Sequence, residues 1–234
     1  MDTLSSLQNF LQSFDTHAFL MAAFSAVAAL FCLTVHELSH GAVAYALGDP
    51  TAKDEGRLTL NPIRHIDPLG LVLMITAHVG WAKPVPVDMR YFKHPKRGMA
   101  LTALAGPASN FLLAWVFLLL SNLLLHVLPF SVAWQSYLLL FLVNGALLSI
   151  GLGVFNLFPI PPLDGSKILF SFLPDKIYYT ILRYERYIML LLLALVWFGV
   201  LDTPLSFLMV QILRGLCAAS GLPFEMALFL LTAA

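Results

Sequence analysis

Residues 134–158, WQSYLLLFLVNGALLSIGLGVFNLF, contain no Asp, Glu, Lys, Arg or His. Three further stretches are long and apolar: 17–47, 99–128 and 186–201, the last extending backwards through IYYTILRYE. A bilayer crossing takes about 20 residues at roughly 1.5 Å each. Lipid offers no partners for peptide groups, so such stretches must satisfy their own backbone as helices. Charged residues make up 11% of the chain, against about 25% in a soluble domain. These features predict an all-α polytopic membrane protein, a single membrane-embedded domain over 1–234 with about five to six transmembrane helices. The segment 204–232 adds one or two further spans, since 204–219 is short and holds Arg214, and 222–232 is shorter again. Residues 4–14 place Leu4, Leu7, Phe10, Leu11 and Phe14 on one face, which reads as an interfacial helix. The first Lys or Arg is Lys53, so the N-terminus lacks the basic start of a secretory signal.

Positive charge orients the spans. Of thirteen Lys and Arg, eight lie in 48–97, four in 159–186, and the last is Arg214. The positive-inside rule makes both rich loops cytoplasmic, and the four clear spans then alternate consistently. The 48–97 loop carries an apolar run of its own, LGLVLMITAHVGW, too short to span. Its β-branched residues and the following KPVPV favour a membrane-dipping β-hairpin. Non-helical backbone at that depth must be buried or line water, so the segment is expected beside a cavity.

Zero formal net charge gives no sign of a nucleic-acid partner. Cys32 and Cys217 are isolated, make no disulfide framework, and read as apolar packing residues. No internal repeat is apparent, which counts against an inverted-repeat transporter.

The first span ends in TVHELSHG, with His36, Glu37 and His40 continuing the helical pattern. Residues i and i+4 stack on one helix face, so the two imidazoles can share a metal ion. Glu37 lies beside them, placed to take a proton from water. This is the His-Glu-x-x-His signature of zinc hydrolases, and a catalytic zinc keeps an open position for water. The bland reading is three satisfied polar side chains. It is disfavoured because ionisable groups at the end of an apolar span cost energy without a partner. A bis-imidazole haem site usually draws its ligands from opposing helices.

Two imidazoles leave a catalytic zinc one protein ligand short. Asp164, in NLFPIPPLDGSK, follows the third span on the same predicted side as His40. The prolines forbid regular helix there. Alone, such an aspartate reads as a cap or turn residue; beside an unfilled zinc position, it reads better as the third ligand.

HELSH in a first long span, GPASN (106–110) opening the next and NLFPIPPLDG (156–165) closing a third together resemble the site-2 protease family of intramembrane zinc metalloproteases. NPIRHIDPLG and GWAKPVPVD look like its compact prokaryotic branch, without PDZ or CBS domains. The resemblance covers residues 20–175. It implies a three-span catalytic core with one Zn2+ per chain, bound by His36, His40 and Asp164, and with Glu37 as general base. Asn110 matches the family's second-span asparagine, which holds substrate or the oxyanion, although it could equally bridge helices, and Asn156 faces the same two readings. Gly80, Trp81, Ala82, Lys83, Pro84 and Val85 resemble the strand region that pairs with an unwound substrate. Implied partners are single-span membrane-protein substrates and the bilayer, with the oligomeric state open. The implied location is the prokaryotic plasma membrane, with the site opening to the cytoplasm. The competing function is a membrane zinc transporter or sensor. Glu37 separates the two, because hydrolysis needs a base beside the metal and transport does not.

Overall fold

A computed structural model describes residues 15–68, 70, 82–127 and 133–232. Eight α-helices occur among them: α1 (Thr16–Ala46), α2 (Thr51–Asp54), α3 (Pro95–Val127), α4 (Ala133–Asn156), α5 (Asp164–Phe170), α6 (Asp175–Trp197), α7 (Asp202–Ser220) and α8 (Phe224–Thr232). Two 3-10 turns, Pro62–His65 and Met89–Tyr91, lie in the loop between α2 and α3. Four helical stretches are long and apolar enough to cross a membrane: Phe19–Ala46, Pro95–Val127, Trp134–Asn156 and Asp202–Ser220. The architecture is that of an all-α membrane protein. Among the described residues the only β pairing is an isolated antiparallel bridge between Ile66 and Ala82. The body of the expected hairpin, 71–81, and the expected interfacial helix at 4–14 lie outside the described residues.

The last third of the chain differs from the sequence reading. That reading drew a span at 186–201. Its backward extension through IYYTILRYE agrees with a helix that starts at Asp175; the difference is at the other end, where the helix stops at Trp197 rather than running on to Leu201. Its N-terminal half carries Arg183, Glu185 and Arg186, and its C-terminal half is apolar. Its end is set by Gly199 in the left-handed conformation (φ 68°). The Gly199 N–H donates to Val196 O and the Val200 N–H to Leu195 O, closing the helix as a Schellman turn. The helix α7 is long and apolar enough to cross a membrane. It ends at Gly221 (φ 77°), after which Pro223 precedes the nine-residue α8. The 204–232 region is therefore one span-length helix and one short helix.

The helices α1, α3 and α4 make the most extensive mutual contacts. A bilayer gives no hydrophobic drive for helix association, so small residues and interhelical hydrogen bonds do this work. Gly145 and Gly153 on α4 receive the rings of Phe117 and Phe111 from α3. Asn144 Nδ2 donates to Ser25 Oγ at 2.6 Å, tying α4 to α1. Ser149 Oγ donates to the Asn110 carbonyl at 2.8 Å, tying α4 to α3. Asn122 Nδ2 donates to Ser220 O at 3.1 Å, capping α7. The core around Phe117, Leu118, Leu139 and Ile150 also takes in Cys32 and Cys217, both free thiols.

Candidate metal centre

His36 and His40 occupy the last third of α1, which ends at Gly48 (φ 105°) in a second Schellman turn: Gly48 N–H to Tyr45 O and Asp49 N–H to Ala44 O. One helical turn apart, the two rings lie with centroids 4.6 Å apart and nearly perpendicular. Their Nε2 atoms are separated by 3.0 Å. Asp164 Oδ2 completes a triangle, 3.2 Å from His36 Nε2 and 3.1 Å from His40 Nε2. All three side chains are buried. Burial on its own would raise the Asp164 carboxyl. The imidazoles of His36 and His40, with Lys167 nearby, outweigh it and hold the group well below the usual carboxylate range.

Asp164 reaches this position because the chain folds back after α4. The proline-rich turn brings Gly165 so close to the end of α4 that an added Cβ would overlap the Leu157 carbonyl oxygen. Helix α5 then starts at Asp164 itself. From the other side α3 presses Gly106 against the triangle, where a Cβ would lie 2.5 Å from His40 Nε2 and 2.6 Å from His36 Cε1. Thr102, one turn earlier on α3, turns its carbonyl oxygen to His40 Nδ1 at 2.7 Å.

The donor set fits zinc. Ligand atoms on a tetrahedral ion with bonds of about 2.0–2.1 Å lie roughly 3.3 Å apart. The observed triangle, at 3.0 to 3.2 Å, has that size. Two neutral imidazoles and one carboxylate are a ligand set of the kind catalytic zinc uses.

Glu37 is buried, and its Oε2 accepts a hydrogen bond from the Val85 N–H at 2.9 Å. Val85 belongs to an extended strap, 82–88, held to the loop and to α1 along its length. The Lys83 N–H donates to His65 O at 2.9 Å, and Lys83 O accepts from Arg57 Nη2 at 2.6 Å. At the far end the Asp88 N–H donates to Asp49 Oδ2 at 2.7 Å. Pro84 and Pro86 have no N–H to offer. The donors of residues 83, 85 and 88 are thus bonded within the chain. That alters the expected substrate pairing at Ala82, Lys83, Pro84 and Val85, because a substrate strand finds few free donors there. Gly80 and Trp81 lie outside the described residues, as does His78.

The two asparagines separate. Asn110 Nδ2 lies 3.1 Å from His36 Nδ1. Asn156 Nδ2 instead donates to Leu152 O on its own helix at 2.9 Å. Sequence reasoning missed Thr102, Asp49 and Arg57. Asp49 and Arg57 are charged yet buried, and nothing in their spacing marks them as anchors for partners 39 and 26 residues away. His65, unassigned from sequence, is buried with Nε2 2.9 Å from Thr59 O.

The chain is 42% identical over 163 residues to the Bacillus subtilis (strain 168) protein named "Putative zinc metalloprotease YwhC", covering 69% of this chain and 74% of that one. The chain belongs to peptidase family M50, the site-2 protease family. The model of Peptidase family M50 matches residues 124–198, a stretch that includes Asp164. Proteins named "Putative zinc metalloprotease Rip2" are also similar. The one from Mycolicibacterium smegmatis is 36% identical over 141 residues, covering 58% of this chain and 52% of its own. The one from Mycobacterium tuberculosis is 34% identical over 146 residues, covering 60% of this chain and 53% of its own. The chain therefore spans about half the length of the Rip2 proteins. No solved structure matches it. This M50 protein is a multi-pass membrane zinc metalloprotease.

Proposed function

We propose that this M50 protease cleaves a peptide bond within or beside the transmembrane helix of single-span membrane proteins, in regulated proteolysis or signal-peptide clearance. The observation that carries the proposal is the buried His36–His40–Asp164 triangle at the end of a membrane-length helix, with Glu37 on the same helix turn. His36, His40 and Asp164 would hold the zinc. When bound, zinc supplies Lewis-acid polarisation of the scissile carbonyl and brings water's pKa near neutrality. Glu37 takes a proton from the attacking water and returns it to the departing amine. With Oε2 held by the Val85 N–H, Oε1, which has no hydrogen-bond partner among the described residues, is the oxygen assigned to this step. Lys167, 3.5 Å from Asp164 Oδ1, restrains the carboxylate oxygen that does not face the imidazoles.

A substrate helix must unwind before its peptide bonds are accessible, and its freed groups then need partners. The strap can offer them mainly as acceptors. The residues that alternate with 83 and 85 are Pro84 and Pro86, which present carbonyls without N–H groups. Substrate N–H groups would therefore do the donating. Charge in the loops supports a plasma-membrane orientation with the site opening to the cytoplasm.

A transport reading gains nothing from the rest of the bundle. Among the described residues, Asn144, Ser149 and Asn122 are engaged by neighbouring helices, and no second group of potential ligands accompanies the triangle. The test is Glu37→Gln in purified, detergent-solubilised protein. Zinc should stay near one per chain while cleavage of a single-span substrate is abolished. Unimpaired cleavage by Glu37→Gln would refute the assignment.

A further inference from the structure

We infer that Asn110 is a positioning residue for His36, presenting its amide carbonyl to the imidazole Nδ1–H; the inference rests on the zinc reading of the site. The nitrogen of His36 that faces Asp164 and His40 is Nε2. An imidazole that gives the Nε2 lone pair to a metal carries its proton on Nδ1. That proton needs an acceptor in a fully buried setting, or the donor is left unpaired without water to replace it. The group within reach is the Asn110 amide, 3.1 Å away on a completely buried side chain.

An amide NH2 cannot accept this bond, whereas its oxygen can. The two ends of an Asn amide have nearly the same shape and exchange by a half-turn about χ2. With Nδ2 toward His36, Oδ1 is buried without any partner. The half-turn brings that unpaired acceptor onto the Nδ1–H that requires one. His40 provides an internal comparison. Its Nδ1 faces the Thr102 carbonyl, an atom that only accepts, so its proton sits on Nδ1 and Nε2 is the free ligand nitrogen. One helix, α3, thus sets both ligand tautomers, at Thr102 through the backbone and at Asn110 through a side chain. The position of Asn110 is itself fixed, since its backbone carbonyl accepts from Ser149 Oγ on α4. Partners of this kind orient metal-bound histidines and raise their basicity.

The geometry gives Asn110 a role distinct from binding an oxyanion. An oxyanion group must turn a donor toward the reacting carbonyl, whereas here the decisive end is an acceptor turned toward a ligand. Asn110→Asp keeps the acceptor and Asn110→Leu removes it at similar size. Zinc affinity, measured by chelator competition on the full-length protein in detergent, should fall about 10- to 100-fold in Asn110→Leu. In Asn110→Asp it should stay within a few-fold of the parent. Cobalt(II) substitution adds a readout independent of cleavage: its visible bands should shift in Asn110→Leu and be retained in Asn110→Asp. Should Asn110→Leu fail to fold, ring-15N histidine spectra of the zinc-loaded parent decide the matter, with the His36 signal assigned by His36→Gln. A proton on His36 Nδ1 supports the inference, and its absence overturns it. Unchanged zinc affinity in Asn110→Leu with cleavage lost would also overturn it, in favour of a substrate or oxyanion role. A parent protein that binds no zinc at all would instead overturn the underlying reading of the site.

Discussion

Gly106→Ala tests the site through a single added methyl group. In an exposed helix this change gains about 0.5–1 kcal/mol from backbone entropy. At Gly106 the new carbon would lie 2.5 Å from His40 Nε2 and 2.6 Å from His36 Cε1. Carbon atoms pack at about 3.5–4.0 Å, so either α3 or the two rings must move by roughly 1 Å. Overpacking of this kind costs about 1–3 kcal/mol. Without zinc the rings can turn away, so the methyl group is tolerated and the helix gain remains. With zinc both rings are pinned, and the cost falls on binding. A loss of about 1–3 kcal/mol corresponds to roughly 5- to 150-fold weaker affinity. The assay is chelator competition for zinc, paired with thermal unfolding in excess chelator. Gly215→Ala on α7 is the control, since its Cβ would meet nothing within 4 Å. Expected is a metal-free Gly106→Ala protein at least as stable as the parent, with much weaker zinc binding. Parent-like zinc affinity in Gly106→Ala would refute the reasoning, because it would mean that α3 does not press on the ligands.

Gly165→Ala should be harsher, since its methyl group would meet the Leu157 backbone oxygen rather than a side chain. Loss of bound zinc together with a lowered melting temperature is the expected result. Val85→Pro removes the N–H that holds Glu37 Oε2; cleavage should drop by at least tenfold, an order-of-magnitude expectation for general-base catalysis, while zinc content stays near that of the parent. Arg57→Met frees the Lys83 carbonyl, and limited proteolysis should then nick the 82–88 strap faster with zinc still bound. Asn144→Leu deletes the bond to Ser25 and should cost about 0.6 kcal/mol, the average for such bonds in a membrane, measured by unfolding in mixed detergent.

Much of this protein was settled by sequence alone. Uninterrupted apolar length forces helices across a bilayer, because no other local structure satisfies its own backbone in lipid. His36 and His40 had to share a face, because four residues make just over one helical turn. Local rules failed where competing signals overlapped. Apolar sequence runs on to Leu201, yet Gly199 in the left-handed conformation ends α6 at Trp197. Tertiary structure decided everything that depends on meeting across the bundle. It set Asp164 Oδ2 within 3.2 Å of both imidazoles, put Thr102 and Asn110 behind them, and gave the Val85 N–H to Glu37. It also buried Asp49 and Arg57 as anchors for a proline-bearing strap. Helical periodicity carries information over four or seven residues. It carries none about which carbonyl, amide or carboxylate, tens of residues away, will close the remaining bonds.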